Sequence, residues 1–98
     1  MGKVIWSPSA KIDLKEIIEY ISKDSKYYAQ IFGAKLFAST KKLKEFPLLG
    51  RIVPEYSRQD LREIIFQNYR IIYRVKENFI EIVTVCHGSV DIKRKMDL

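Results

Sequence analysis

The sequence predicts an α+β domain in the order β-α-α-β-β-β, with a helical hairpin packed on one face of an antiparallel sheet. Three observations predict it. Two stretches of helical apolar spacing fill the first half, β-rich runs fill the second, and the period changes at Leu61. At 98 residues, the chain reads as one domain, residues 1–98, burying roughly two-thirds of its unfolded surface. Hydrophobic residues are 47% and charged residues 31%, a balance that excludes a disordered chain.

Lys3 to Trp6 alternates weakly and reads as a short strand. Ser7-Pro8 supplies an N-cap followed by proline at the first helical position. Ala10, Leu14, Ile17, Ile18 and Ile21 then form one apolar stripe, while Lys11, Asp13, Lys15, Glu16, Glu19 and Lys23 face water. Asp24-Ser25 breaks the stripe and offers a second N-cap. The spacing predicts a longer helix to about Phe46, burying Ala29, Phe32, Leu36, Thr40 and Leu43. So short a joint folds the two helices into an antiparallel hairpin. Phe46-Pro47-Leu48-Leu49-Gly50 stops the second helix.

Leu61–Phe66, Tyr69–Val75 and Phe79–His87 read as strands of a meander. Two-residue loops at Gln67-Asn68 and Glu77-Asn78 fix a register. Ile64 then faces Ile71, Val75 faces Ile80, Tyr73 faces Ile82 and Ile71 faces Thr84. Opposed residues share a face, so Ile64, Phe66, Tyr69, Ile71, Tyr73, Val75, Ile80, Ile82 and Cys86 take the helices. Glu63, Ile65, Arg70, Ile72, Arg74, Glu81, Val83, Val85 and His87 point the other way. On that open face Arg74 stands opposite Glu81, Glu63 lies diagonal to Arg70 and Arg74, and His87 lies diagonal to Arg70. The cluster reads either as a binding or catalytic surface or as a solvated face with cross-strand ion pairs, each worth under about 1 kcal/mol. A one-residue slip inverts the assignment.

The net charge is +6, and its distribution is uneven: residues 1–50 carry lysine but no arginine, and every arginine falls between 51 and 94. Guanidinium suits phosphate and carboxylate recognition better than ammonium does, but basic composition alone only permits nucleic-acid binding. Cys86 is the single cysteine, which excludes an internal disulfide and a multi-cysteine metal site. No apolar run approaches the roughly 20 residues that span a bilayer, and no signal-peptide pattern opens the chain, so a cytoplasmic location is expected. His87, the lone histidine, is the one side chain suited to proton transfer near neutrality, and it equally suits a backbone hydrogen bond at a strand end. Nucleophilic-triad spacing, zinc-ligand spacing and a glycine-rich phosphate loop are all missing from the sequence, so no cofactor is expected.

Several stretches together resemble the RelE/ParE superfamily of toxins, and its ParE-like branch most closely. Trp6-Ser7-Pro8 with Ala10, Asp13-Leu14, Ile17 and Tyr20-Ile21 is similar to that family's first strand and helix. Phe46-Pro47-Leu48-Leu49-Gly50-Arg51 with Pro54 resembles the turn after its hairpin. Leu61-Arg62-Glu63, Tyr69 to Val75, and Val85-Cys86-His87-Gly88 with Asp91-Ile92 resemble its strands and closing motif. The resemblance implies a toxin of a type II toxin–antitoxin module that binds a cognate antitoxin and arrests growth by poisoning DNA gyrase. It points to Arg62, Arg70 and His87 as target contacts, and the charged face read from the register adds Glu63 and Arg74 to the expected set. The RelE-like alternative is ribosome-dependent cleavage of messenger RNA, for which Arg62, Arg70 and His87 would be the catalytic set. The late tyrosine of many such nucleases is missing here, since none follows Tyr73. A third alternative is a non-toxic paralogue that only binds antitoxin. Tyr28, Ile31 and Ala38 widen the apolar surface of the second helix beyond what one sheet face covers, and are the expected antitoxin contacts.

Overall fold

A computed structural model describes residues 2–96; Met1, Asp97 and Leu98, the ends of the expected 1–98 unit, lie outside the described residues. Strand β1 is Val4–Trp6, helix α1 Pro8–Ser22 and helix α2 Lys26–Lys41, followed by a 3₁₀ turn at Lys42–Lys44. Strands β2 (Arg51–Ile52), β3 (Leu61–Phe66), β4 (Tyr69–Val75) and β5 (Ile80–His87) follow, and a short helix α3 (Ile92–Lys95) ends the described chain.

Both expected N-caps form. Ser7 Oγ accepts the Ala10 amide at 3.0 Å, and Ser25 Oγ accepts that of Tyr28 at 3.0 Å. α2 ends sooner than expected, at Lys41 rather than about Phe46. Its last turn tightens to 3₁₀ as it nears Pro47, whose ring disfavours helical backbone at the residue before it. Ala29, Phe32, Leu36, Thr40 and Leu43 are all buried, as the spacing predicts. Gly33 faces α1, and a Cβ there would displace the tip of the Ile18 side chain, whose Cδ1 would lie 2.8 Å away.

The sheet has five strands in the order β1-β5-β4-β3-β2. It is mixed rather than wholly antiparallel, because β1 runs parallel to β5. That arrangement follows from α1 and α2 lying between β1 and the meander, which brings the chain back over the sheet before β2. β2 and α3, of two and four residues, are too short for any periodic pattern to reveal.

The meander keeps the predicted pairs Ile64–Ile71, Tyr73–Ile82, Val75–Ile80 and Arg74–Glu81. A bulge then shifts the β4–β5 ladder by one residue: Ile72 pairs with Thr84 and Tyr73 with Ile82, leaving Val83 as the extra residue. Ile71 therefore faces Val85 rather than Thr84. Beyond the bulge the faces exchange. Val85 joins Phe32, Leu36, Ile71, Tyr73, Ile80 and Ile82 in the core beneath the helices, and Cys86 moves to the opposite face.

That opposite face is not open. The loop after β2 and helix α3 cross it, so Val53, Tyr56, Ile92 and Met96 pack on Leu61, Ile72 and Cys86 as a second, smaller core. Burial there pushes the Cys86 thiol pKa up.

Candidate functional site

The residues expected to form one surface are distributed over three environments. Glu63 and Arg70 meet as predicted, but under cover. Arg70 Nε donates to Glu63 Oε1 at 2.6 Å, and its Nη1 and Nη2 donate to the two oxygens of Glu55, both at 2.8 Å. Arg51 Nε completes the row by donating to Glu63 Oε2 at 2.6 Å. The Glu63 side chain is 0% exposed and that of Arg70 is 9% exposed, so the pair sits inside the second core. The bidentate Arg70 fork holds the Glu55 carboxyl well down, at about 2. Glu55 and Glu63 in turn raise the Arg70 pKa further above its ordinary value. Arg51 and Glu55 escaped the sequence reading because neither lies in a periodic element. Their only signal was charge beside the Pro54 turn.

Arg62 alternates with Glu63 along β3 and so leaves on the other face. Its Nη1 donates to the carbonyls of Leu48 and Gly50 at 3.4 and 3.0 Å, and its Nε donates to that of Gln59 at 3.0 Å. Arg74 keeps its register opposite Glu81, yet among the described residues no ion pair joins them, and Arg74 Nε is buried without a partner.

His87 is not diagonal to Arg70 on a shared face. The bulge at Val83 turns it to the helix side, where it pairs with Tyr69 and its ring meets Tyr69 edge-on at 5.6 Å. Its Nδ1 accepts the Ser89 amide at 3.2 Å and lies 2.8 Å from Ser89 Oγ. A neutral imidazole in this arrangement carries its proton on Nε2. A shallow cavity of about 250 Å³ beside it is lined by Glu16, Tyr20, Tyr69 and Lys95 among others.

The sequence reading also missed Asp13, which it placed in water. Past the end of β1, β5 has no neighbour on that side, and Asp13 reaches over from α1. Its Oδ2 accepts Thr84 Oγ1 at 2.5 Å and the Val85 amide at 3.2 Å, while Oδ1 accepts Lys95 Nζ at 3.2 Å.

Of the expected antitoxin contacts, Tyr28 is 45% exposed, Ala38 is exposed and Ile31 is half-buried. Tyr28 lies over the β3–β4 turn, its hydroxyl 3.4 Å from Gln67 Oε1. A groove of about 450 Å³ between the helices is lined by Trp6, Leu14, Ile18 and Phe37, with Lys11, Lys15 and Glu19 as its charged residues. Trp6 and Phe37 stack there at 5.9 Å, and Trp6 Nε1 is buried without a partner among the described residues. Phe37 carried a visible signal, since it is a large aromatic lying off the buried stripe.

Among the described residues no helix is long and apolar enough to cross a membrane, and no three His, Cys, Asp or Glu side chains gather as a metal ion requires. A helical hairpin on a five-stranded mixed sheet is a small α+β fold that the chain shares with a toxin–antitoxin structure. A structure titled "Chromosomal ParDE TA system from P. aeruginosa" superposes with a TM-score of 0.75, at 20% identity, over 89% of this chain and 96% of that one. The family profile described as "ParE toxin of type II toxin-antitoxin system, parDE" matches residues 4–92. The chain is 31% identical over 90 residues to Toxin RelE2 of Caulobacter vibrioides, covering 91% of this chain and 98% of that protein. The chain belongs to the ParE toxin family, within the RelE/ParE superfamily of type II toxin–antitoxin toxins.

Proposed function

We propose that this toxin acts in the cytoplasm as a single domain, arrests growth by poisoning DNA gyrase, and is silenced by a cognate antitoxin docked on its helical hairpin. The observation that carries the choice of target is the separation of Arg62, Arg70 and His87. Phosphodiester cleavage needs a cation and a proton-transfer group converging on one phosphate. Here Arg62 binds loop carbonyls, Arg70 is enclosed by two carboxylates, and His87 stands on the other side of the sheet from Arg70. That dispersal favours a toxin that binds its target over one that cuts RNA.

Exposed Tyr28 and Ala38, with the apolar groove at Leu14, Ile18 and Phe37, support docking of an amphipathic antitoxin segment. The net charge of +6, with two lysines against one glutamate at the groove, favours acidic residues in that segment and fast encounter.

Purified toxin in a gyrase supercoiling assay, beside mapping of RNA 5′ ends after brief induction, tests the target. Inhibited supercoiling with intact messages is expected. New RNA ends at codon positions, with gyrase unaffected, would establish the ribonuclease reading instead.

A further inference from the structure

The turn at Phe46–Leu49 exposes large apolar side chains on a backbone that is held rigidly. Phe46, Leu48 and Leu49 are 59, 61 and 55% exposed, three large apolar side chains within four residues. An adaptable loop would fold such side chains inward, and this one is prevented from doing so. Tyr73, fully buried on β4, sends its hydroxyl up through the sheet face, donating to the Pro47 carbonyl at 2.8 Å and accepting the Gly50 amide at 2.8 Å. Arg62 holds the Leu48 and Gly50 carbonyls from the side. Gly50 allows that close seating, because a Cβ there would lie 2.5 Å from the Glu63 carbonyl and 2.8 Å from the Tyr73 ring. A tyrosine, an arginine and a glycine thus fix a turn whose outer side chains touch little of their own chain.

We infer that the Phe46–Leu48–Leu49 turn is the contact by which the toxin engages its target, and that the target is a folded protein offering an apolar hollow with an acidic rim. The inference rests on the reading of a protein target proposed above, and it supplies the surface on the toxin. Preorganisation is what makes such a projection effective, since the ordering cost of the loop is met before binding. Large apolar anchors inserted into pockets carry most of the affinity of protein interfaces. Charge selects the rim: Lys41, Lys42 and Lys44 precede the turn, against the single carboxylate of Glu45. Nucleic acid fits poorly. Phe46 offers a single ring for stacking, Leu48 and Leu49 neither stack on bases nor read their edges, and the nearest arginines are engaged within the chain, Arg51 by Glu63 and Arg62 by loop carbonyls. The turn also lies clear of Tyr28, at the far end of a 16-residue helix about 24 Å long.

The test is Leu48→Ser/Leu49→Ser, with Leu48→Met/Leu49→Met as the conservative control, in full-length toxin co-purified with its cognate antitoxin. Both changes are on exposed side chains, and the carbonyls that Arg62 holds remain. Expected for the serine variant are an unchanged melting temperature, antitoxin affinity within twofold, and at least a thirtyfold loss in growth arrest at matched expression and in binding to purified gyrase. The methionine variant is expected to keep all four. Full growth arrest by the serine variant overturns the inference, and so does a parallel loss of antitoxin binding. Where wild-type toxin leaves purified gyrase untouched and the serine variant still loses growth arrest, the gyrase reading fails and the turn stands as the contact to another protein. Codon-positioned RNA cleavage lost in the serine variant overturns the protein partner.

Discussion

Replacing Arg70 by alanine separates a structural from a target-binding arginine, and the burial of its partners sets the size of the effect. The change leaves Glu63, 0% exposed, with only Arg51, whose own side chain is 62% exposed, and it releases Glu55 entirely. Removing one member of a buried ion pair costs about 3–5 kcal/mol, because the remaining charge stays desolvated. At 4–8 °C per kcal/mol for a domain of this size, the melting temperature falls by roughly 12–40 °C. Arg70→Lys recovers only part of this, since an ammonium cannot serve Glu63 and both oxygens of Glu55 at once. The double variant Arg70→Met/Glu63→Met is expected to melt well above Arg70→Ala, because it removes the orphaned carboxylate together with its partner. Thermal melts of the antitoxin-bound and free proteins, set beside growth arrest, make the comparison. An Arg70→Ala protein that melts within about 1 kcal/mol of wild type yet has lost all toxicity would refute the structural account, because an exposed pair is worth no more than that.

Three further outcomes are expected. Glu55 titrates at about 2 when folded against 4.5 as its ordinary value, so its contribution is complete above pH 4.5 and fades as pH falls towards 2. Being partly exposed, it contributes no more than about 1 kcal/mol, and acid unfolding of Glu55→Gln beside wild type reads the gap closing over that window. Tyr73→Phe removes the hydroxyl that holds Pro47 and Gly50, and chemical denaturation should show a loss of about 1–3 kcal/mol, with faster proteolysis at the Phe46–Leu49 turn. Gln67 occupies the β3–β4 turn at φ 53°, so Gln67→Gly should raise stability by about 0.5–1 kcal/mol in the same assay.

The helical hairpin was legible because its buried residues recur with the helical period and its caps are serines, so Ala29, Phe32, Leu36, Thr40 and Leu43 were all placed correctly. The hairpin register was legible up to Tyr73, because two-residue loops leave little choice. Beyond that point the β5 run contains no glycine or proline to announce a bulge, and Val83 looks like any other strand residue. One unseen insertion therefore misplaced Val85, Cys86 and His87 together. The burial of Glu63 and Arg70 was illegible for a different reason. What covers them is an irregular loop and a four-residue helix, held by scattered contacts at Val53, Tyr56, Ile92 and Met96 rather than by a repeating pattern. Glu63 was placed beside Arg70 correctly, while the depth at which they meet depended on segments with no periodicity to read.

Asp13 stands where a sixth strand would otherwise have to lie. A strand rim with bare amides is a template on which further chains stack, and proteins blunt such rims with charge or cover. Here a carboxylate carried on a helix occupies the Val85 amide, and Lys95 offsets its charge. An incoming extended chain meets that donor already engaged and an ion pair lying along its path. The rim is shielded by a side chain instead of by a neighbour, so a second copy of this protein finds the Val85 position closed as a template for further strands.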